Sequence, residues 1–283
     1  MQPTETAETH ATAGVVPAPQ PSPAMSPSSG HTAPINGMEM YYEISGEGEP
    51  LVWLHGFTGI GAHWQLIFTE QPEGFRLISP DLRGHGRSTN PSGQFTFRQS
   101  ALDIFALLDR LGIERFKAVG MSAGAKTLLH MATQQPARVE AMVLVSPAHY
   151  FPAEARAAMA LITVESRTEQ DWKLLREWHK HGDEQIRALL EQSNALKDSY
   201  DDMSFTPPYL STIVARTLIV HGDRDPIYPI NIPVEIYQAI PRAYLWIVPN
   251  GGHGPIFGDM RAPFVETALA FLRGDWERKK PGG

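Results

Sequence analysis

A serine between two glycines, Gly120-Met121-Ser122-Ala123-Gly124, follows the apolar run 116–119 and precedes a run of helix formers, 125–135, that Pro136 ends. Strand, sharp turn and helix are thereby written into about twenty consecutive residues. A turn this tight strains the serine backbone and leaves no room for Cβ atoms on either side, which is why glycines flank it. The helix that starts at Ala123 directs free N–H groups and the positive end of its dipole toward the serine. The segment therefore presents a hydroxyl at the exit of a strand, beside a ready-made site for developing negative charge.

Two later segments supply partners for that hydroxyl. The β-branched run 217–220 leads into His221-Gly222-Asp223-Arg224-Asp225-Pro226, placing carboxylates at a second strand end. The apolar run 244–248 leads into Pro249-Asn250-Gly251-Gly252-His253-Gly254, a loop that delivers a histidine just past a third strand. Ser, Asp and His thus follow one another along the chain, each beyond a strand, in an order that chymotrypsin-type and subtilisin-type proteins do not share.

With these motifs in hand, the sequence from about residue 35 to 276 resembles the α/β-hydrolase superfamily. Leu51-Val52-Trp53-Leu54-His55-Gly56-Phe57 is similar to that family's oxyanion strand and loop, and Pro80-Asp81-Leu82-Arg83-Gly84-His85-Gly86-Arg87-Ser88 to the exit of its next strand. The resemblance implies an α/β fold: a mostly parallel, twisted sheet flanked by helices, with a helical cap. It also implies a Ser122-Asp225-His253 triad, with Asp225 preferred to Asp223 as the second acid of Gly-Asp-x-Asp, and an oxyanion hole from the backbone N–H groups of Phe57 and Ala123. No cofactor and no metal are expected, and the expected substrate is a small to medium carboxylic ester. Carbon–carbon bond cleavage, lactone or thioester hydrolysis and perhydrolysis are alternatives with the same residues, and a non-catalytic receptor on this fold is a further one. Haloalkane dehalogenases and epoxide hydrolases of this fold use an aspartate nucleophile, so a serine disfavours both activities.

Composition is consistent with this reading. A chain of 283 residues, 42% hydrophobic, can bury one large core. A net charge of −7 argues against nucleic acid as a partner, and no run of about 20 apolar residues predicts a membrane span. There are no cysteines, hence no disulfide framework and no thiol nucleophile. Residues 1–34 are rich in Pro, Ala, Thr and Ser and read as a disordered tail. Without a Lys or Arg before Arg76 or an apolar core, the tail does not read as a leader. The default location is the cytoplasm, with export after signal removal as the alternative.

Ordered chain is expected from residue 35, with strand 38–45 forming a hairpin with strand 51–54. Further strands are expected at 75–79, 116–120, 141–146, 217–221 and 244–248, and helices at 62–68, 97–111 and 264–272. Residues 35–147 and 212–278 would form the core, and 148–211, which lack a convincing strand, a cap. Met121, Tyr150, Trp172 and Trp178 are the pocket candidates, although packing of the cap on the core is the preferred role for the two tryptophans. His179, Lys180, His181 and Asp183 read as a solvated helix end rather than a metal site. His55, Asp81, Arg83 and Ser88 read as scaffolding. Lys126, one turn past Ser122, departs from the family pattern. Its amine is expected to snorkel to solvent, with pairing to an acid or to an anionic substrate as alternatives.

Overall fold

The computed structural model describes residues 29–278. Eight strands form one sheet: β1 (Ser29–Ile35), β2 (Met38–Ser45), β3 (Glu49–Leu54), β4 (Phe75–Pro80), β5 (Phe116–Met121), β6 (Val139–Val145), β7 (Arg216–Gly222) and β8 (Ala243–Val248). Their spatial order is β1-β2-β4-β3-β5-β6-β7-β8. The pairs from β4 and β3 through to β8 are all parallel, and β1 and β2 add an antiparallel edge.

Helices α1 (Phe97–Arg110) and α2 (Ala123–Gln134) lie within the core half of the chain. Next come α3 (Ala153–Ala160), α4 (Glu169–Trp178), α5 (Asp183–Ala195) and the single turn α6 (Pro207–Leu210). The chain closes with α7 (Asn231–Ala239), α8 (Arg261–Arg273) and the short α9 (Asp275–Arg278). The central strands β5 and β6 are buried along almost their whole length because both faces are covered, and this is why they read as continuous apolar runs. One apolar cluster, centred on α1, α2 and α7, fills one side of the sheet, and a second, built on Trp53, Phe68, Phe264 and Phe271, fills the other.

Two expectations fail at the sheet edge. Residues 29–34 are not tail: they form β1, paired with β2 through the Asn36-Gly37 turn from Ile35↔Met38 to Ser29↔Ile44. The low apolar content that suggested disorder suits an exposed edge strand that buries only Ala33 and Ile35. The hairpin between β2 and β3 does not form either, because β4 lies between them, antiparallel to β2 and parallel to β3. Residues 1–28, the remainder of the expected tail, lie outside the described residues. The segment 62–68, expected as a helix, is a 3₁₀ helix at Gly61–Leu66.

Candidate active site

At the end of β5 the chain turns through Ser122, whose φ of 49° and ψ of −103° fall outside the regions an L-residue favours. Both glycines are sterically required. A Cβ on Gly124 would stand 2.1 Å from the Leu54 carbonyl oxygen, and one on Gly120 would stand 2.6 Å from the Gly124 carbonyl carbon. The Ser122 amide donates to Val145 O at 2.9 Å, tying the turn to the end of β6. Ala123, the first residue of α2, has an N–H with no intrahelical acceptor.

The acid and the histidine meet on the adjoining loops. His253 Nδ1 lies 2.8 Å from Asp225 Oδ2, and Asp225 Oδ1 accepts from the amides of Ile227 and Tyr228 at 2.8 and 3.1 Å. A carboxylate only accepts, so the Nδ1 proton points at Asp225, and in the neutral ring the lone pair then lies on Nε2. Burial pushes the Asp225 pKa up, but the bonds from His253 and the Ile227 amide outweigh it, and the carboxyl titrates below its usual range. The Asp223 carboxylate, in contrast, reaches among the described residues only Arg224, at 3.9 Å. One residue missed in the sequence holds the histidine loop. Ser146, also at positive φ, donates its hydroxyl to His253 O at 2.7 Å.

Opposite the turn, the loop after β3 carries His55, Gly56 and Phe57. His55 Nδ1 donates to Gly56 O at 2.7 Å, and Nε2 accepts from the Leu82 amide at 2.9 Å. Burial lowers its pKa to about 3, so it is a neutral clamp between the two loops. Asp81 accepts from the Gly61 and Arg87 amides, Ser88 donates to Asp81 O, and Arg83 makes a buried, two-bonded pair with Asp103 at 2.8 Å. These residues are structural supports.

A cavity of about 220 Å³, mostly apolar, lies between these loops and α3–α5. Phe57, Met121, Ser122, Ala123, Trp178 and His253 line it. Trp178 stands edge-on to His63, another lining residue, at 4.4 Å. Tyr150 and Trp172 are not among the lining residues. Tyr150 bridges to Ser204 and packs its ring on His149, whereas Trp172 is buried within the cap against Leu175, Ile186 and Leu190. Bulky aromatics lose most water by packing, and for these two the nearest apolar surface is not the cavity.

Lys126 and His179 depart furthest from expectation. Lys126 does not snorkel. It is 2% exposed, with its amine 2.9 Å from the Tyr228 hydroxyl and 3.5 Å from Ser122 Oγ. Burial lowers its pKa to about 7, against the raising influence of Asp225. Tyr228 was not singled out in the sequence; its signal was the Asp225-Pro226-Ile227-Tyr228 turn that wraps the carboxylate. His179 is not a solvated helix end but is buried at 2% exposure. Its Nδ1 accepts from the Gly86 amide at 2.9 Å and its Nε2 donates to Thr58 O at 3.1 Å, next to Phe57. Lys180 N, His181 Nε2 and the Gln185 amide reach carbonyls of the same 84–87 loop. No metal-binding cluster occurs among the described residues, and none of their helices is long and apolar enough to cross a membrane.

The model of the alpha/beta hydrolase fold family matches residues 49–171, the stretch holding the oxyanion-like loop, the strained serine and the start of the cap. The fold of the chain is the α/β-hydrolase fold. Over 115 residues it is 34% identical to a soluble epoxide hydrolase from Corynebacterium sp. (strain C12), covering 41% of this chain and only 40% of that protein. Over 259 residues it is 27% identical to a 2-hydroxymuconate semialdehyde hydrolase from Pseudomonas sp. (strain CF600), covering 82% of this chain and 90% of that one. A meta-cleavage product hydrolase from Pseudomonas fluorescens IP01 superposes with a TM-score of 0.71 at 21% identity, covering 87% of this chain and 98% of that one; this likeness is one of fold.

Proposed function

We propose that this hydrolase cleaves small to medium carboxylic esters through an acyl-enzyme on Ser122, with His253 as proton carrier and Asp225 as its orienting acid. The observation that carries the reading is the 2.8 Å His253–Asp225 contact beside a strained serine that faces the same cavity. Ser122 Oγ attacks the ester carbonyl while His253 Nε2 takes its proton, and the imidazolium then returns the proton to the departing alcohol. Water repeats the sequence on the acyl-enzyme and frees the acid. Asp225 fixes the tautomer and stabilises the transient imidazolium. The amides of Phe57 and Ala123 receive the oxyanion, each worth about 3 kcal/mol in the transition state. A cavity of 220 Å³ is smaller than the ~300–1,000 Å³ of drug-sized ligand sites, which supports short acyl chains.

A second reading, carbon–carbon bond hydrolysis by the same residues, is favoured by the match to 2-hydroxymuconate semialdehyde hydrolase along most of both chains. Initial rates on p-nitrophenyl esters from acetate to decanoate, with wild type and Ser122→Ala, test the first reading. Turnover on short chains that disappears in the variant supports it. No turnover from folded protein on any chain length rejects it in favour of carbon–carbon cleavage or a binding role.

A further inference from the structure

Acyl transfer as proposed leaves Lys126, the buried cation beside Ser122 among the described residues, without a task. The Lys126 amine contacts two hydroxyls, Tyr228 Oη and Ser122 Oγ, and the ring faces of Tyr228, Phe97 and Phe151 at 4.8, 5.3 and 5.8 Å from their centres. None of these is an anion. No carboxylate among the described residues makes an ion pair with Lys126, and Asp225, the acid that acts on it through space, is committed to His253 and two amides. An ammonium carries three N–H donors, so two hydroxyl acceptors leave one for a ligand. Burying a cation without an opposite charge costs several kcal/mol, which is what lowers the pKa of this amine, and an anion bound beside it would offset that cost and hold the amine protonated. The cavity itself is biased the same way. Among the described residues the guanidinium of its other lining cation, Arg167, hydrogen-bonds only Ser166, while its lining acid, Asp171, accepts from the Thr168 amide and hydroxyl.

We propose that the cavity floor beside Ser122 is a subsite for a carboxylate on the acyl part of the substrate, held by Lys126, so that half-esters of short dicarboxylic acids are the preferred substrates. This rests on the Ser122 ester reading. Distance bounds the length of the acyl chain. In a near-attack geometry the carbonyl carbon stands about 3 Å from Ser122 Oγ, and a carboxylate oxygen pairs with an ammonium at about 2.8 Å. With the amine 3.5 Å from Oγ, the carbonyl carbon and the carboxylate oxygen stand at most about 9 Å apart, a separation that a succinyl or glutaryl chain does not exceed.

The test compares monoethyl succinate with its uncharged counterpart, ethyl succinamate, by kcat/KM in a pH-stat. Wild type prefers the carboxylate ester by about tenfold or more, the value of one charge-assisted contact, and Lys126→Met brings the ratio to about one or below. A wild-type ratio at or below one, or a ratio that Lys126→Met leaves unchanged, overturns the subsite. A titration without turnover separates this from the acyl-enzyme reading. Succinamate, a monoanion, binds Ser122→Ala protein in calorimetry and uncharged succinamide does not; equal or absent binding of both overturns the subsite whatever the esterase result. Persistent hydrolysis of both esters by Ser122→Ala rejects the acyl-enzyme and leaves the titration to decide the subsite. Neither the wild-type ratio nor the titration depends on the folding of the Lys126 variant.

Discussion

On the floor of the cavity Ser122 and His253, with Asp225 behind the imidazole, hang from the ends of β5, β8 and β7. On its roof, α3–α5 rest on the core through hydrogen bonds centred on His179. The floor is set by backbone sterics. Two glycines approach neighbouring main chain so closely that no other residue fits, and Ser122 stays in a strained conformation because strands on both sides over-determine it. The roof is set by a handful of side chains bonding to loop carbonyls and amides, each worth about 1 kcal/mol. Chemistry performed at the floor therefore tolerates little change, whereas the roof can vary in shape and so in the substrates it admits. Under the proposed function, selectivity belongs to α3–α5 and to Lys126, and bond-breaking to the strand ends.

The largest contrast is expected from Ser122→Ala. It should reduce ester kcat by about 10⁴-fold or more, since removing any member of such a unit approaches the loss of the whole, while thermal unfolding stays near wild type. Trp172→Ala on the roof should do the opposite, costing about 3 kcal/mol or more in stability at a residue that does not itself line the cavity. Asp225→Asn should cost about 10⁴ in kcat by misdirecting the His253 tautomer, and Asp223→Asn less than about threefold. Equal losses from the two would erase the distinction drawn between them. Gly124→Ala sharpens the steric claim, because a methyl 2.1 Å from Leu54 O forces the turn or β3 to move. Urea unfolding should show a loss of about 3 kcal/mol or more.

His179 tests the roof through pH. Burial holds its pKa at about 4, below the free value of 6.5, and its Nδ1 must stay unprotonated to accept from Gly86. Below pH 6.5 the unfolded chain takes up this proton before the folded one does. Stability is therefore full above pH 6.5 and falls by about 1.4 kcal/mol per pH unit until folded His179 protonates near 4. His179→Gln should flatten this part of the stability–pH curve and raise KM severalfold more than it changes kcat, as read by denaturant melts and steady-state kinetics.

The same contrast explains what could be read from the chain. The strained turn, the acid loop and the histidine loop were legible because each is a local pattern: glycines where Cβ atoms cannot fit, and polar residues just past apolar strands. The strands β4–β8 were visible for the same reason. Partners from distant segments were not. The pairing of β2 with β4 rather than β3, the burial of His179 beneath a loop 93 residues earlier, and the meeting of Lys126 with Tyr228 all depend on tertiary packing that no local period encodes. A lysine in a helix reads as a surface residue until the fold places three aromatic rings around it.

The central claim, that Ser122 attacks the substrate carbonyl with His253 as its base, is tested most directly by covalent trapping. A short p-nitrophenyl alkylphosphonate, whose phosphorus mimics the tetrahedral carbon, should release one equivalent of nitrophenol. Peptide mass spectrometry should then place the phosphonyl group on Ser122, with labelling slowed about a thousandfold or more in His253→Ala. Labelling at another residue, or at Ser122 with the same rate in His253→Ala, would contradict it.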